Sequence, residues 1–325
     1  MKAVIWTKYG TPDVLKIGEV EKPTPKDNEI LMKVVATTVT LGDCEMRNLA
    51  LPFAFKLPIM LFLGVFRPKR GNTLGQEFSG IVESVGKEST RFKVGDEIFG
   101  QTGITMGAYA QFLSIKENGI IAKKPSNISF EEAACVPLGG LEALYFTRKA
   151  NIIKGGSVLV IGAGGSIGTM GIQLLKLGGA VVAGVDTHEK FDVMKEAGAD
   201  RVIDYTKENY LERGEKYDVV FDVVGKIPLK RGLALLNPNG YYLHANPKIS
   251  HILLNKWIGG SKKNLIVKID EQSQDDLNYL NELLITGKIK PIIDQIMPLE
   301  RIAEAHEYVE TGKKKGNLVI RVSSN

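Results

Sequence analysis

The segment VLVIGAGGSIG, residues 158–168, constrains the fold more than any other stretch of this chain. An apolar, β-branched run meets a cluster of glycines, and a helical pattern opens at Ser166. Strand, tight turn and helix in that order make a corner suited to a pyrophosphate. Gly162 permits the turn. Gly164 and Gly165 leave the backbone bare for close approach. The N–H groups of Ser166 and Ile167 open the helix toward an anion, and Gly168 lets that helix pack against the sheet. A glycine-rich motif alone is weak evidence. Here a second strand, AVVAGVD, follows and ends in Asp186, 18 residues beyond Gly168. That spacing suits a carboxylate accepting from ribose hydroxyls. The competing reading is a plain strand–turn–helix corner.

The rest of the chain agrees with an α/β fold. Residues 1–122 are β-rich, with short runs such as EILMKVVATTV and GAYAQFLSI punctuated by glycine, which predicts a twisted, mostly antiparallel barrel or sandwich. The pattern changes near Pro125. SFEE, 129–132, is a capping box in which Ser129 caps a helix and Glu132 reaches back. Strands and helices then alternate through GYYLHA and NLIVKI, which predicts a doubly wound parallel sheet. From about residue 270, two more helical patterns and the strand NLVIRV are placed to complete the first domain. The expected division is therefore 1–124 with 270–325, and 125–269 between them.

Composition removes several classes. A net charge of +5 over 325 residues is too small to argue for nucleic acid. The two cysteines, Cys44 and Cys135, rule out a disulfide framework and fit a reducing, cytoplasmic setting. The first residues lack the apolar run of a signal peptide. The greasiest window, LPIMLFLGVF at 57–66, is half the roughly 20 residues a spanning helix needs.

Several segments in order carry a resemblance over nearly the whole length: MKAVIWTKYGTPDVL, VVATTVTLGDCEMR, LGQEFSGIVESVG, RFKVGDEIFG, AACVPLGGLEALYF, VLVIGAGGSIGT, GADRVIDYTKENY and YDVVFDVVGK. The chain resembles the medium-chain dehydrogenase/reductase superfamily, in its zinc-free, quinone oxidoreductase-like branch. The resemblance implies a GroES-like catalytic domain wrapped around a Rossmann domain, with the active site in the cleft between them. Zinc-bearing relatives place a Cys where this chain has Thr40, a His at Gln76, and a Cys or Asp near Leu138. None of these is a normal zinc ligand, so no metal is expected.

Without a Lewis acid the easier chemistry is hydride addition to an activated double bond or quinone, whose charge spreads onto an oxygen. The resemblance implies NADP or NAD as hydride source, and Thr40, Asp43 and Gln76 as the polar groups near the reacting oxygen. Asp43 reads equally well as a helix N-cap for CEMRN. Relatives carry a Tyr where this chain has Glu45, so no tyrosine proton donor is transferred. Gly164, Gly165, Ser166, Ile167, Asp186, Lys190, Tyr205, Val224, Ala245 and Asn317 are the implied cofactor residues. Asp186 favours the free 2′-hydroxyl of NAD, whereas Lys190 and Tyr205 match positions that bind the 2′-phosphate of NADP. The implied partners are a small, apolar carbonyl or quinone and a second copy of the chain.

The insert 48–71 is greasy, ends in the basic run RPKR, and is broken by Pro52, Pro58 and Gly64. It reads as a lid over an apolar substrate, a dimer contact or a membrane-surface patch. HILLNKWIGGSKK, 251–263, has the same character. Two other functions stay open: a metal-free alcohol or aldehyde oxidoreductase, and a low-turnover cofactor-binding protein with a lipid-associated or regulatory role.

Overall fold

The structure is a computed structural model that describes residues 1–50, 53–65, 67–68, 73–150, 152–247, 264–267 and 272–323. The segment 251–263 and parts of the insert 48–71 lie outside these residues. The chain divides into two compact units: 1–138 with 273–287 and 293–325, and 139–272 with 288–292.

The first unit opens with β1 (Lys2–Trp6) and β2 (Leu15–Glu19), an antiparallel pair. Then follow β3 (Glu29–Thr38), α1 (Leu41–Asn48), α2 (Phe53–Leu63), β4 (Glu77–Val85), β5 (Glu97–Gln101), β6 (Phe112–Lys116), β7 (Ile121–Lys123) and α3 (Phe130–Ala134). Alternate residues of these strands, including Ile30, Met32, Val34, Phe78, Val82 and Ile98, fill one core. Period-2 alternation puts such residues on one face. The capping box at α3 forms as expected, with Ser129 Oγ accepting from the Glu132 amide at 3.1 Å and Glu132 accepting from the Ser129 amide at 2.8 Å. Helix α3 packs on β3, β4 and β5. Phe130, Ala134 and Cys135 share a core with Val35 and Ala36. This burial holds the segment after Pro125 in the first unit, so the compact units part at 138–139 where the sequence reading placed 124–125.

The second unit contains most of α4 (Pro137–Lys149), then β8 (Ser157–Ile161), α5 (Ser166–Leu177), β9 (Val181–Asp186), α6 (Phe191–Glu196), β10 (Arg201–Asp204), β11 (Tyr217–Asp222), α7 (Leu229–Ala234), β12 (Leu236–His244) and β13 (Asn264–Val267). Among the described residues its six strands are all parallel, in the order β10-β9-β8-β11-β12-β13. This is the doubly wound, dinucleotide-binding order. Val158 and Val160 belong to one core and Leu159 and Ile161 to the other, so both faces are covered. That explains why these strands read as unbroken apolar runs.

The chain then returns to the first unit with α8 (Gln274–Ile285), β14 (Ile293–Pro298), α9 (Ile302–Glu310) and β15 (Asn317–Arg321). Strand β15 lies between β14 and β3, which gives the order β14-β15-β3-β4-β5-β7, with β6 also on β3. The GroES-like and Rossmann architectures expected from the sequence are both present. Among the described residues no helix is long and apolar enough to cross a membrane.

In the insert, α2 runs straight through Pro58, where the sequence reading placed a break. Proline there forgoes one intrahelical bond without ending the helix. Gly64 closes it at φ +127°, and its carbonyl accepts from the Tyr9 hydroxyl at 2.7 Å. Leu57 and Leu61 remain 54% and 69% exposed.

Candidate active site

In the first unit, the polar groups gather where β3 gives way to α1. Thr40 is extended and caps α1, its Oγ accepting from the Asp43 amide at 3.1 Å. The Asp43 carboxylate turns back to accept from the Thr40 amide at 2.9 Å. The pair is a capping box, a feature whose cap residue contributes about 1 kcal/mol. Asp43 is thus the third residue of the helix, and Thr40 holds the N-cap position that the sequence reading offered to Asp43.

Asp43 is fully buried. Its Oδ2 also accepts from Thr40 Oγ at 2.7 Å, and Gln76 Nε2 stands 3.5 Å from Oδ1. Burial raises its pKa, and the hydrogen bonds from Thr40 and Gln76 only partly offset this. The Gln76 amide lies over Gly42, where an added Cβ would come within 3.2 Å of Nε2. The structure therefore brings Thr40, Asp43 and Gln76 together, with Thr40 and Gln76 half-buried above the sealed carboxyl.

Two neighbours escaped the sequence reading as site residues. Glu77 is buried; its Oε1 accepts from the Leu138 amide at 2.7 Å and its Oε2 from the Thr38 hydroxyl. Burial lifts its carboxyl to about 7, against the pull of those bonds and of Lys314. Tyr109 is wholly buried beside Asp43, and burial above all keeps its phenol protonated. Its ring packs on Gly75, where a Cβ would overlap it at 2.5 Å, and meets His306 edge-on at 5.8 Å. Burial holds His306 neutral, with a pKa of about 3, and its Nδ1 lies 3.3 Å from Cys44 Sγ. The bare Gly75 before Gln76 was the only signal for Tyr109 in the sequence.

Leu138 contributes a backbone amide to this cluster, and its side chain offers no donor atom. Among the described residues, no three His, Cys, Asp or Glu side chains gather to hold a metal ion.

In the second unit the glycine corner forms as the motif predicts. Gly162 takes φ +81° and its amide donates to the Val185 carbonyl at 3.0 Å. A Cβ at Gly162 would strike the Val224 side chain at 2.4 Å, and one at Gly168 would stand 2.3 Å from the Gly162 oxygen. Gly165 differs: an added Cβ there would meet nothing closer than 3.8 Å. The space beside Gly165, at the N-terminus of α5 with the Ser166 and Ile167 amides, is an open cradle. It fits a pyrophosphate, because the amides and the helix dipole both favour an anion there.

Asp186 ends β9, but its carboxylate is already engaged. Oδ2 accepts from the Gly164 amide at 3.0 Å, Oδ1 accepts from the Thr187 amide at 2.9 Å, and Lys190 Nζ pairs with Oδ1 at 3.3 Å. Only 6% of Asp186 and 8% of Lys190 are exposed. The Lys190 stem packs on Gly164, where a Cβ would lie 2.6 Å from it. Tyr205 joins this corner through its amide, which donates to the Asp186 carbonyl at 3.3 Å, and its side chain is exposed. Ala245 follows β12, its amide donating to the Asp222 carbonyl at 3.0 Å. Asn317 lies in the first unit, buried at the start of β15 opposite Ile293.

Comparison with known proteins gives the same picture. Residues 26–126 match the alcohol dehydrogenase GroES-like domain family, and residues 197–320 match a family described as zinc-binding dehydrogenase. The 2-methylene-furan-3-one reductase of Solanum lycopersicum is 32% identical over 98% of this chain and 79% of its own. The chloroplastic NADPH-dependent alkenal/one oxidoreductase of Arabidopsis thaliana is 29% identical over the same shares. Among solved structures, the quinone oxidoreductase of Coxiella burnetii superposes with a TM-score of 0.87 at 28% identity, covering 99% of both chains. With both domain types matched and a reductase similar along nearly the whole chain, this protein belongs to the medium-chain dehydrogenase/reductase superfamily, in its quinone oxidoreductase-like branch.

Proposed function

We propose that the chain is an NAD(P)H-dependent reductase of quinones or α,β-unsaturated carbonyls. The observation that carries this reading is the open cradle at Gly165, in a six-stranded sheet of dinucleotide-binding order. The relatives named for enone, alkenal and quinone reduction support the substrate class. A nicotinamide bound there supplies hydride. The Ser166 and Ile167 amides would hold the pyrophosphate, and Val224 packs against the Gly162 turn to shape the cradle. Gln76 spends one amide hydrogen on Asp43 and keeps the second for an oxygen on which charge develops.

The chemistry is zinc-independent in this reading, since Thr40, Gln76 and Leu138 supply a hydroxyl, an amide and a hydrocarbon where ligands would stand. NADPH is the favoured cofactor. The Asp186 charge, which would repel a 2′-phosphate, is taken up by two backbone amides and by Lys190. The reading includes a bulky, apolar substrate and a homodimer, supported by the exposed leucines of α2, and a cytoplasmic setting, supported by the two free cysteines.

The test is oxidation of NADPH and NADH against a panel of quinones, enones and saturated aldehydes. Turnover of enones or quinones supports the proposal. Turnover of saturated aldehydes alone points to the alcohol/aldehyde reading, and nucleotide binding without turnover points to a regulatory protein.

A further inference from the structure

Hydride addition leaves a problem that the cradle does not solve. The electron pair arriving at the β-carbon of an enone displaces the π pair onto the carbonyl oxygen, giving an enolate. Hydride delivered to one carbonyl oxygen of a quinone leaves a phenolate at the other. In both cases a proton must reach the anionic oxygen, and no tyrosine donor is transferred to this chain, which has Glu45 where relatives carry a Tyr.

The geometry offers a source. Thr40 Oγ and Asp43 Oδ2 are 2.7 Å apart, with Asp43 sealed from solvent and Thr40 half-buried above it. When the carboxyl is ionised, the Thr40 hydroxyl donates inward and has no proton to give outward. When the carboxyl is protonated, the same short contact runs in reverse. Oδ2–H donates to Oγ, and the hydroxyl proton turns outward. Thr40 Oγ has the lone pairs for this, because among the described residues it accepts only from the Asp43 amide besides.

We propose that Asp43 is the proton reservoir of the reaction and that the Thr40 hydroxyl is its outlet. The Thr40 O–H bond breaks as the substrate oxygen takes its proton. The Asp43 O–H bond breaks as Oγ is reprotonated, leaving a carboxylate and an enol or hydroquinone. The enol becomes the ketone in water, and solvent returns the proton to Asp43 through Thr40 after release.

The surroundings support a protonated Asp43. It is buried, its pKa is raised, and the groups that face it are Gln76, Glu77 on β4, Tyr109, and Cys44 on α1, none of them a cation. The relay works only with the carboxyl protonated, so the rate it supports falls as pH rises through the Asp43 ionisation.

This inference rests on the proposed reductase activity. Its test uses the full chain, Asp43→Asn, Thr40→Ala and Thr40→Ser, with NADPH and 1-octen-3-one or 9,10-phenanthrenequinone. Asp43→Asn keeps a side-chain acceptor for the cap. It should lower kcat on the order of 100-fold, the usual worth of general-acid catalysis, and flatten the pH profile while NADPH binding by fluorescence is unchanged. Thr40→Ser should restore the rate lost in Thr40→Ala. Without nucleotide, infrared difference spectra across a pH titration should lose one protonated-carboxyl band in Asp43→Asn. An active wild type with Asp43→Asn unchanged in rate and pH profile overturns the relay alone, as does the absence of any band belonging to Asp43. If Asp43→Asn does not fold, equal rates of Thr40→Ser and Thr40→Ala overturn it. An inactive wild type removes the reductase reading and the relay together.

Discussion

The Gly164 amide donates to Asp186 Oδ2 at 3.0 Å, so the carboxylate that was expected to read the ribose is built into the glycine loop itself. The loop and the end of β9 are one hydrogen-bonded unit, with Lys190 as its counter-ion.

Asp186→Ser should therefore do more than alter cofactor preference. It removes the acceptor for the Gly164 amide and leaves Lys190 unpaired, a loss of about 1–3 kcal/mol. The expected result is a lower melting temperature and weaker binding of both NADPH and NADH. Lys190→Ala should weaken NADPH more than NADH. Thermal melts with fluorescence titrations check both, and an unchanged NADPH:NADH ratio in Lys190→Ala would place the 2′-phosphate elsewhere.

Gly165→Val and Gly168→Val should separate binding from folding. The first adds its side chain to the open cradle, so the protein should fold with near wild-type stability and lose nucleotide binding. The second forces a Cβ to 2.3 Å from the Gly162 oxygen and should reduce soluble, folded protein. Circular dichroism and an NADPH titration distinguish the outcomes.

Glu77 makes stability depend on pH. Its folded pKa, about 7, lies above the ordinary carboxyl value of 4.5. Between these values the folded state holds a proton that the unfolded state has lost. The protonated carboxyl's contribution is full below about 4.5, falls as pH rises toward 7, and is gone above it. Glu77→Gln, which keeps an acceptor for the Leu138 amide, should be more stable than wild type at pH 8 by up to about 3 kcal/mol. The advantage should disappear near pH 4.5. Urea titrations at both ends measure the difference.

Cys44 and Cys135 are both buried, and burial raises both thiols above their usual range. Neither should react with a thiol reagent such as 5,5′-dithiobis(2-nitrobenzoate) until the protein unfolds. Labelling should track urea denaturation, and fast labelling of native protein would show that a core is open.

The sequence carried the Rossmann unit well, because short-range rules govern it. Strand and helix periods alternate, glycines mark the corner, and the Ser129–Glu132 box is local. What stayed hidden was set by distant partners. Glu77 meets Leu138, 61 residues away, and Tyr109 packs on Gly75 from the other side of β5 in the sequence. The direction of the Asp186 carboxylate depends on which amide lies nearest, and no spacing rule encodes that. Pro58 was misread because proline weakens a helix without always ending one.

The order of strands in the first unit also has a consequence during synthesis. Strand β15 pairs with Ala36–Thr38 at the end of β3, and the Leu318 carbonyl accepts from the Val39 amide at 3.0 Å, next to Thr40. On the ribosome, that edge of β3 is made early and stays unpaired until residues 317–321 emerge, after the whole second unit. The strand that leads to Thr40 is thus one of the last parts of the molecule to be secured. Until then the nascent chain presents a free strand edge, a hazard that chaperones exist to cover.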